Sequence, residues 1–124
     1  MNLVDSSGWL EYFADGPCAA RFLPALKDAR SLVVPTISLY EVFKVVLRER
    51  GENEALQAVT AMQKGTVVEL TPTLSLSAAR LSLKYSLPLA DSIILATARA
   101  WRATIWTLDA DFKGLPDVRY FERK

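Results

Sequence analysis

Asp5, Glu41, Asp91 and Asp109 stand at the edges of apolar segments in a chain that contains no histidine. Charged side chains sit against core-forming sequence when they are paired or hold a cation. Carboxylates brought together repel one another, so the cluster either takes up a proton or admits a hard cation that prefers oxygen ligands. The missing histidine removes the usual general base, the Ser-His triads and most zinc sites. A lone cysteine, Cys18, excludes an internal disulfide and a Cys-rich metal site, and is expected as a small buried thiol.

The surrounding pattern must bring these acids together. Residues 2–5 read as a short strand ending at Asp5, after which Ser6 and Ser7 offer N-caps for a helix through Trp9, Leu10, Tyr12 and Phe13. Gly16-Pro17 breaks that helix, and helical spacing resumes at Ala19, Phe22, Leu23 and Leu26. Leu32 to Pro35 is a buried strand; Thr36 and Ser38 are placed to cap a long helix that Gly51 ends. Glu52 to Lys64 reads as a helix, Thr66 to Leu70 as a β-branched strand, and Pro72 to Tyr85 as a helix with Leu74, Ala78, Leu81 and Tyr85 at helical spacing. Pro88 opens a helix to about Ala100, Thr104 to Thr107 is a strand, a turn or short helix holds Asp109 to Lys113, and Val118 to Phe121 is a last strand.

Short apolar strands alternating with helices imply a three-layer α/β/α sandwich around a central, mostly parallel sheet of four to five strands. In such sheets ligands bind outside the carboxyl ends of the strands, so Asp5 and Asp109, from distant sequence, can meet at one edge. Glu41 falls in the second turn of its helix and Asp91 in the first turn of its own, where the partial positive charge of a helix N-terminus favours a carboxylate.

The 124 residues fit a single domain, and 51% hydrophobic content is enough for a core without disulfides. No apolar run reaches the ~18 residues of a membrane helix, and no signal peptide is visible, which makes a cytoplasmic protein the expectation. The net charge of +1 is not the balance of a protein that grips nucleic acid mainly through phosphates, so any such role must rest on a local site. Lys44, Arg48 and Arg50 form one basic cluster, Arg99 and Arg102 another, and the tail ends with Arg119, Arg123 and Lys124.

Four segments are specific in order and spacing: Val4-Asp5-Ser6-Ser7; Ser38-Leu39-Tyr40-Glu41-Val42; Leu89-Ala90-Asp91 leading into Ile93-Ile94-Leu95-Ala96-Thr97-Ala98; and Thr107-Leu108-Asp109-Ala110-Asp111-Phe112. Together they resemble the PIN-domain family, in particular VapC-like toxins of toxin–antitoxin pairs. The resemblance implies an endoribonuclease dependent on Mg²⁺ or Mn²⁺ that leaves a 5′-phosphate and a 3′-hydroxyl. By that similarity Asp5, Glu41 and Asp91 correspond to the three core acids and Asp109 to a more variable fourth. Ser6 and Thr107 match hydroxyls that orient ligands or water, and Asp111 is a supporting residue that caps the turn or holds a second ion.

Lys44 and Arg48 follow Glu41 on the same helical face and are candidates for RNA backbone contacts, with Arg99 behind them. Trp9, Tyr12 and Phe13, with Tyr40 and Phe43, exceed what one helix buries and are expected at a partner interface. The resemblance implies a homodimer silenced by a VapB-type antitoxin whose C-terminal segment brings a basic side chain to the acids. Three other readings remain: a catalytically silent module of the same fold that binds RNA or protein, another metal-dependent phosphohydrolase, and a nuclease directed at DNA. A haloacid-dehalogenase-type site needs a second aspartate two residues after the first, where this chain has Ser7.

Overall fold

The computed structural model describes residues 1–123, so Lys124 of the basic tail lies outside the described residues. Five strands are present: β1 (Asn2–Val4), β2 (Val33–Pro35), β3 (Thr66–Val68), β4 (Thr104–Thr107) and β5 (Val118–Tyr120). Six α-helices accompany them: α1 (Ser6–Phe13), α2 (Leu23–Leu26), α3 (Thr36–Arg50), α4 (Glu52–Met62), α5 (Pro72–Tyr85) and α6 (Leu89–Ala100).

Every strand pairing is parallel. β4 lies between β1 and β5, with Val4 opposite Trp106 and Thr107 opposite Tyr120. β2 pairs with β3, and a parallel bridge between Asn2 and Leu32 joins the two ladders into the order β3-β2-β1-β4-β5. Neighbouring residues on a strand point to opposite faces. Leu3, Val33 and Ile105 therefore enter the core under α5 and α6, while Val4, Val34 and Trp106 enter the core under α1 to α4. Three dipeptides thus build both interlayers, which is why these strands read as unbroken apolar runs rather than as an alternating pattern. Fully buried Phe22 and Phe112 anchor one layer each, a burial worth roughly 1.5–3 kcal/mol per ring.

Residues 92–98 of α6 are all buried, because the helix packs on α5, α3 and the sheet at once. Its two interior hydroxyls are satisfied locally, Ser92 Oγ on the Leu89 carbonyl and Thr97 Oγ1 on the Ile93 carbonyl. α1 lies so close to the sheet that a Cβ on Gly8 would stand 2.6 Å from Val4 Cγ1 and 2.7 Å from the Phe22 ring. Gly51, at φ +90, makes the turn between α3 and α4.

Several local expectations are corrected. Neither Ser6 nor Ser7 caps α1: Asp5 is the N-cap and accepts from Gly8 N. A carboxylate at the strand end reaches the free amides first, which releases both hydroxyls for other bonds. Thr36 and Ser38 do not cap α3, whose N-cap is Pro35 without a side-chain bond; Ser38 is buried inside the first turn with no partner for its Oγ. Pro88 is the N-cap of α6 rather than its first residue. β3 stops at Val68 and is largely exposed, as an edge strand with one neighbour. The segment after Gly16 divides into a 3₁₀ turn at Ala19–Phe22 and the one-turn helix α2, with Pro24 in its first turn. Cys18 is a buried free thiol as expected. Among the described residues no helix is long and apolar enough to cross a membrane.

Candidate active site

The acids gather at the carboxyl edge of the parallel sheet. Asp5 follows β1 directly, and its amide donates to the Trp106 carbonyl at 3.1 Å, the last rung of the β1–β4 ladder. Its side chain is 3% exposed, with Oδ1 accepting from Ser7 Oγ at 2.6 Å and from Gly8 N at 3.3 Å. Asp109 leaves the end of β4 in the same direction. Its amide donates to Thr107 Oγ1 at 2.8 Å, and its Oδ1 accepts from Asp111 N at 2.9 Å. The first bond fixes the backbone at Asp109 and the second its carboxylate.

Asp91 arrives on the first turn of α6 and Glu41 on the second turn of α3. Ser6 Oγ donates to Glu41 Oε1 at 2.6 Å and so ties α3 to the start of α1. Asp5, Glu41, Asp91 and Asp109 line one cleft of about 990 Å³, closed on its other side by Leu10, Tyr12, Phe13 and the inner faces of α3 and α4.

The tightest group has a different membership from the one the sequence suggests. Asp91, Asp109 and Asp111 place one oxygen each within 4.8 Å of one another. Asp5 and Glu41 share the cleft without entering that set. Asp111, expected only as support, is thus one of the three mutually close carboxylates, brought in by the 3₁₀ turn at Ala110–Phe112.

Electrostatics express the same crowding. Burial pushes the Asp5 carboxyl up to about 6; bonds from Ser7, Thr107 and Gly8 oppose the rise, and the Asp109 charge adds to it. Asp91 is pushed up to about 8, first by burial, then by the Asp109 charge, its bond with Asp111 and the charges of Asp111 and Asp5. The positive end of α6, equivalent to about half a charge, does not offset burial and the neighbouring carboxylates. Among the described residues none of the five acids makes an ion pair. Clustered carboxylate oxygens without a cationic side chain suit a hard divalent ion, and nothing in the donor set suits a soft one.

Two predicted supports take part, and a third was missed. Ser6 holds Glu41, and Thr107 holds the Asp109 amide. Ser7, considered from the sequence only as a cap, bonds Asp5 and accepts from the Leu108 amide at 3.0 Å, so it links the β1–α1 junction to the segment after β4. The available signal was the pair of hydroxyls directly after Asp5.

The other expectations divide. Lys44 and Arg48 do not line the cleft: Lys44 lies over the Tyr40 ring, and Arg48 pairs with Glu49. Arg99 stacks on Tyr85 and does not line it either. Trp9 is 3% exposed and packs into the core with Val4, Phe22 and Trp106; it is not available to a partner. Phe13 and Phe43 are half-buried against the same core. Tyr12 and Tyr40 are exposed, and Tyr12 and Phe13 wall the cleft.

A family model, PIN domain, matches residues 3–118. The chain belongs to the PIN-domain family. The three-layer sandwich and its parallel sheet agree with solved structures of that kind. A chain of a toxin–antitoxin complex from Klebsiella pneumoniae superposes with a TM-score of 0.85 at 22% identity, covering 98% of this chain and 99% of that one. VapC20 of Mycobacterium tuberculosis, a toxin that cleaves the sarcin–ricin loop, superposes at 0.78 with 19% identity over 94% and 95% of the two chains. A chain of VapBC2 from Rickettsia felis, solved with a DNA fragment from its promoter, gives 0.75 at 13% identity over 99% and 98%. At these identities the likeness is one of fold. No curated protein matches the chain significantly by sequence.

Proposed function

We propose that this PIN domain is a metal-dependent endoribonuclease and the toxin of a VapBC-type pair. The observation that carries the reading is the set of Asp91, Asp109 and Asp111 oxygens within 4.8 Å of one another beside buried Asp5, with no cationic side chain paired to any of them among the described residues. Such a group is costly to maintain for structure alone. Membership of the PIN family and the likeness in fold to the toxin VapC20 support the same conclusion.

Asp91 and Asp109 would hold a Mg²⁺ or Mn²⁺ ion with Asp5, and Asp111 would complete the shell or serve a second ion. When bound, such an ion supplies charge neutralisation at the phosphoryl group and lowers the pKa of water beside it. The chain's own contribution is orientation. Asp5 is clamped by Ser7 and Gly8, Asp109 by Thr107 and the Asp111 amide, and Glu41 by Ser6, so the carboxylates need no rearrangement when substrate arrives. Glu41, outside the tight set but lining the cleft, would reach the ion directly or through water, or take a proton from water in the pocket. Hydrolysis needs no protein nucleophile, so the absence of histidine is no obstacle.

The cleft suits an antitoxin segment as well as RNA. Leu10, Tyr12, Phe13, Val45 and Ala58 offer an apolar wall that leads to the acids. An amphipathic helix or strand could lie along it with a Lys or Arg among the carboxylates, relieving their repulsion and excluding the metal. Homodimerisation would draw on the exposed leucines of α5 and α6, Leu76, Leu83 and Leu89, which are 62%, 88% and 76% exposed.

The test is cleavage of total RNA by antitoxin-free protein with Mg²⁺, Mn²⁺ or EDTA, beside Asp5→Asn. Metal-requiring cuts that vanish in the variant support the ribonuclease, and their positions identify the target. A folded wild type that binds metal and RNA without cutting would favour the silent binding module.

A further inference from the structure

The large cleft is lined by seven acids and two cations, Arg50 and Arg123. A polyanion must nevertheless enter it. Lys44 lies over the Tyr40 ring, Arg48 pairs with Glu49, and neither lines the cleft. Arg50 is engaged with Glu54 at 3.4 Å. Arg123 has no ion pair among the described residues.

Topology explains how Arg123 comes to be there. β5 runs parallel to β4 in register Thr107 to Tyr120, and Phe121 N donates to the Thr107 carbonyl at 2.9 Å. The chain leaving β5 must therefore emerge on the same sheet edge as Asp109. Beyond Asp109 lies a second hollow of about 460 Å³, lined by Ser7, Leu108, Asp109, Ala110, Tyr120 and Arg123. Ser7, Asp109 and Arg123 border both cavities and form the saddle between them. The Tyr120 ring is half-buried; Lys113 Nζ lies 5.5 Å from its centroid but is paired with Glu122 at 3.7 Å, which leaves Arg123 as the cation without an ion pair that borders the hollow among the described residues.

We propose that Arg123 and Tyr120 form a nucleotide subsite of the RNA strand across the saddle from the metal-binding acids. The guanidinium holds the phosphodiester adjoining the one that is cut, and the phenol ring carries that nucleotide's base. An Arg fork matches two phosphate oxygens at once, and an aromatic face accepts any base. The inference rests on the ribonuclease reading above and deepens it: it assigns the substrate contact to the end of β5, not to Lys44 and Arg48.

The experiment uses the full chain carrying Asp5→Asn, so that RNA is not consumed, with a short labelled random-sequence single-stranded RNA followed by fluorescence anisotropy over a series of KCl concentrations. Arg123→Gln is expected to weaken binding about tenfold and to make the log-affinity against log-salt slope shallower by about 0.7, the value for one lost phosphate contact on a single strand. Arg123→Lys keeps the slope while losing part of the affinity. Tyr120→Leu weakens binding at least about fivefold with the slope unchanged. Lys64→Gln, exposed and outside both cavities, alters neither. Thermal melts check that each variant is folded, and Arg123 is exposed. If the protein without Asp5→Asn cuts RNA while Arg123→Gln leaves affinity and slope untouched, the subsite is overturned and the nuclease stands. If RNA is neither bound nor cut, both fall together.

Discussion

Ser6 and Glu41, 35 positions apart, are joined by a hydrogen bond of 2.6 Å from the serine hydroxyl to Oε1. The bond crosses from the start of α1 to the second turn of α3 and points a carboxylate into the cleft that would otherwise choose among several rotamers. Ser6 is itself buried, so water is poorly placed to substitute for it. Ser6→Ala should lower the rate of RNA cleavage about 10- to 100-fold, the usual effect of removing a group that orients an active-site ligand. The thermal midpoint should move little. An unchanged rate would show that Glu41 is held by other means or is idle.

Asp5→Asn should separate activity from stability. The variant retains the shape and most of the bonding of the carboxylate but removes a charge that burial already disfavours, as its rise to about 6 records. Cleavage should be lost, while the metal-free variant melts above the wild type at pH 8. A lower melting point would mean that the charged form is better compensated than its surroundings indicate.

Stability and metal binding should depend on pH in opposite senses. Asp5 and Asp91 release protons near 6 and 8 in the folded chain, against an ordinary value of 3.8. Between these limits the folded metal-free protein holds protons that the unfolded chain has lost, so stability falls as pH rises. Thermal melts in EDTA should show the gap between Asp91→Asn and wild type widening from pH 5 towards pH 8. Mg²⁺ competes with those same protons, so its calorimetric affinity should climb over that window, with proton release on binding. A pH-independent affinity would place the ion elsewhere.

Gly8→Ala should destabilise the fold by about 1–3 kcal/mol, as overpacking of a tight interior does. The added Cβ would meet Val4 and the Phe22 ring at under 3 Å. Because Gly8 N is also a donor to Asp5, displacement of α1 should reduce cleavage beyond the loss of folded protein. Chemical denaturation measures the first effect, and the specific activity of the folded fraction measures the second. Normal stability would require α1 to shift without cost.

Most of the architecture was legible because it depends on local pattern. Apolar dipeptides such as Leu3-Val4 and Ile105-Trp106 mark strands buried on both faces, and the unbroken run from Ile93 to Ala98 marks a helix enclosed by the core. Helix starts were less legible. Asp5, Ser6 and Ser7 are all competent caps, and only the direction of the chain leaving β1 selects Asp5. Trp9 misled for a related reason: aromatic content announces a surface or a core equally well, and packing with Val4, Phe22 and Trp106 placed it in the core.

By itself the sequence determined which side chains could do the chemistry. Four acids at strand ends and helix starts, without histidine, narrow the candidate chemistry to carboxylates and the hard cations they can hold, and their residue types and order are local properties. Tertiary structure alone decided which of them meet. Asp111 enters the tight set through a single 3₁₀ turn, Ser7 bonds across 101 positions to the Leu108 amide, and Arg123 reaches the saddle because β5 runs parallel to β4. Proton affinities followed from the same geometry, since burial and through-space charge depend on separations that chain spacing does not encode.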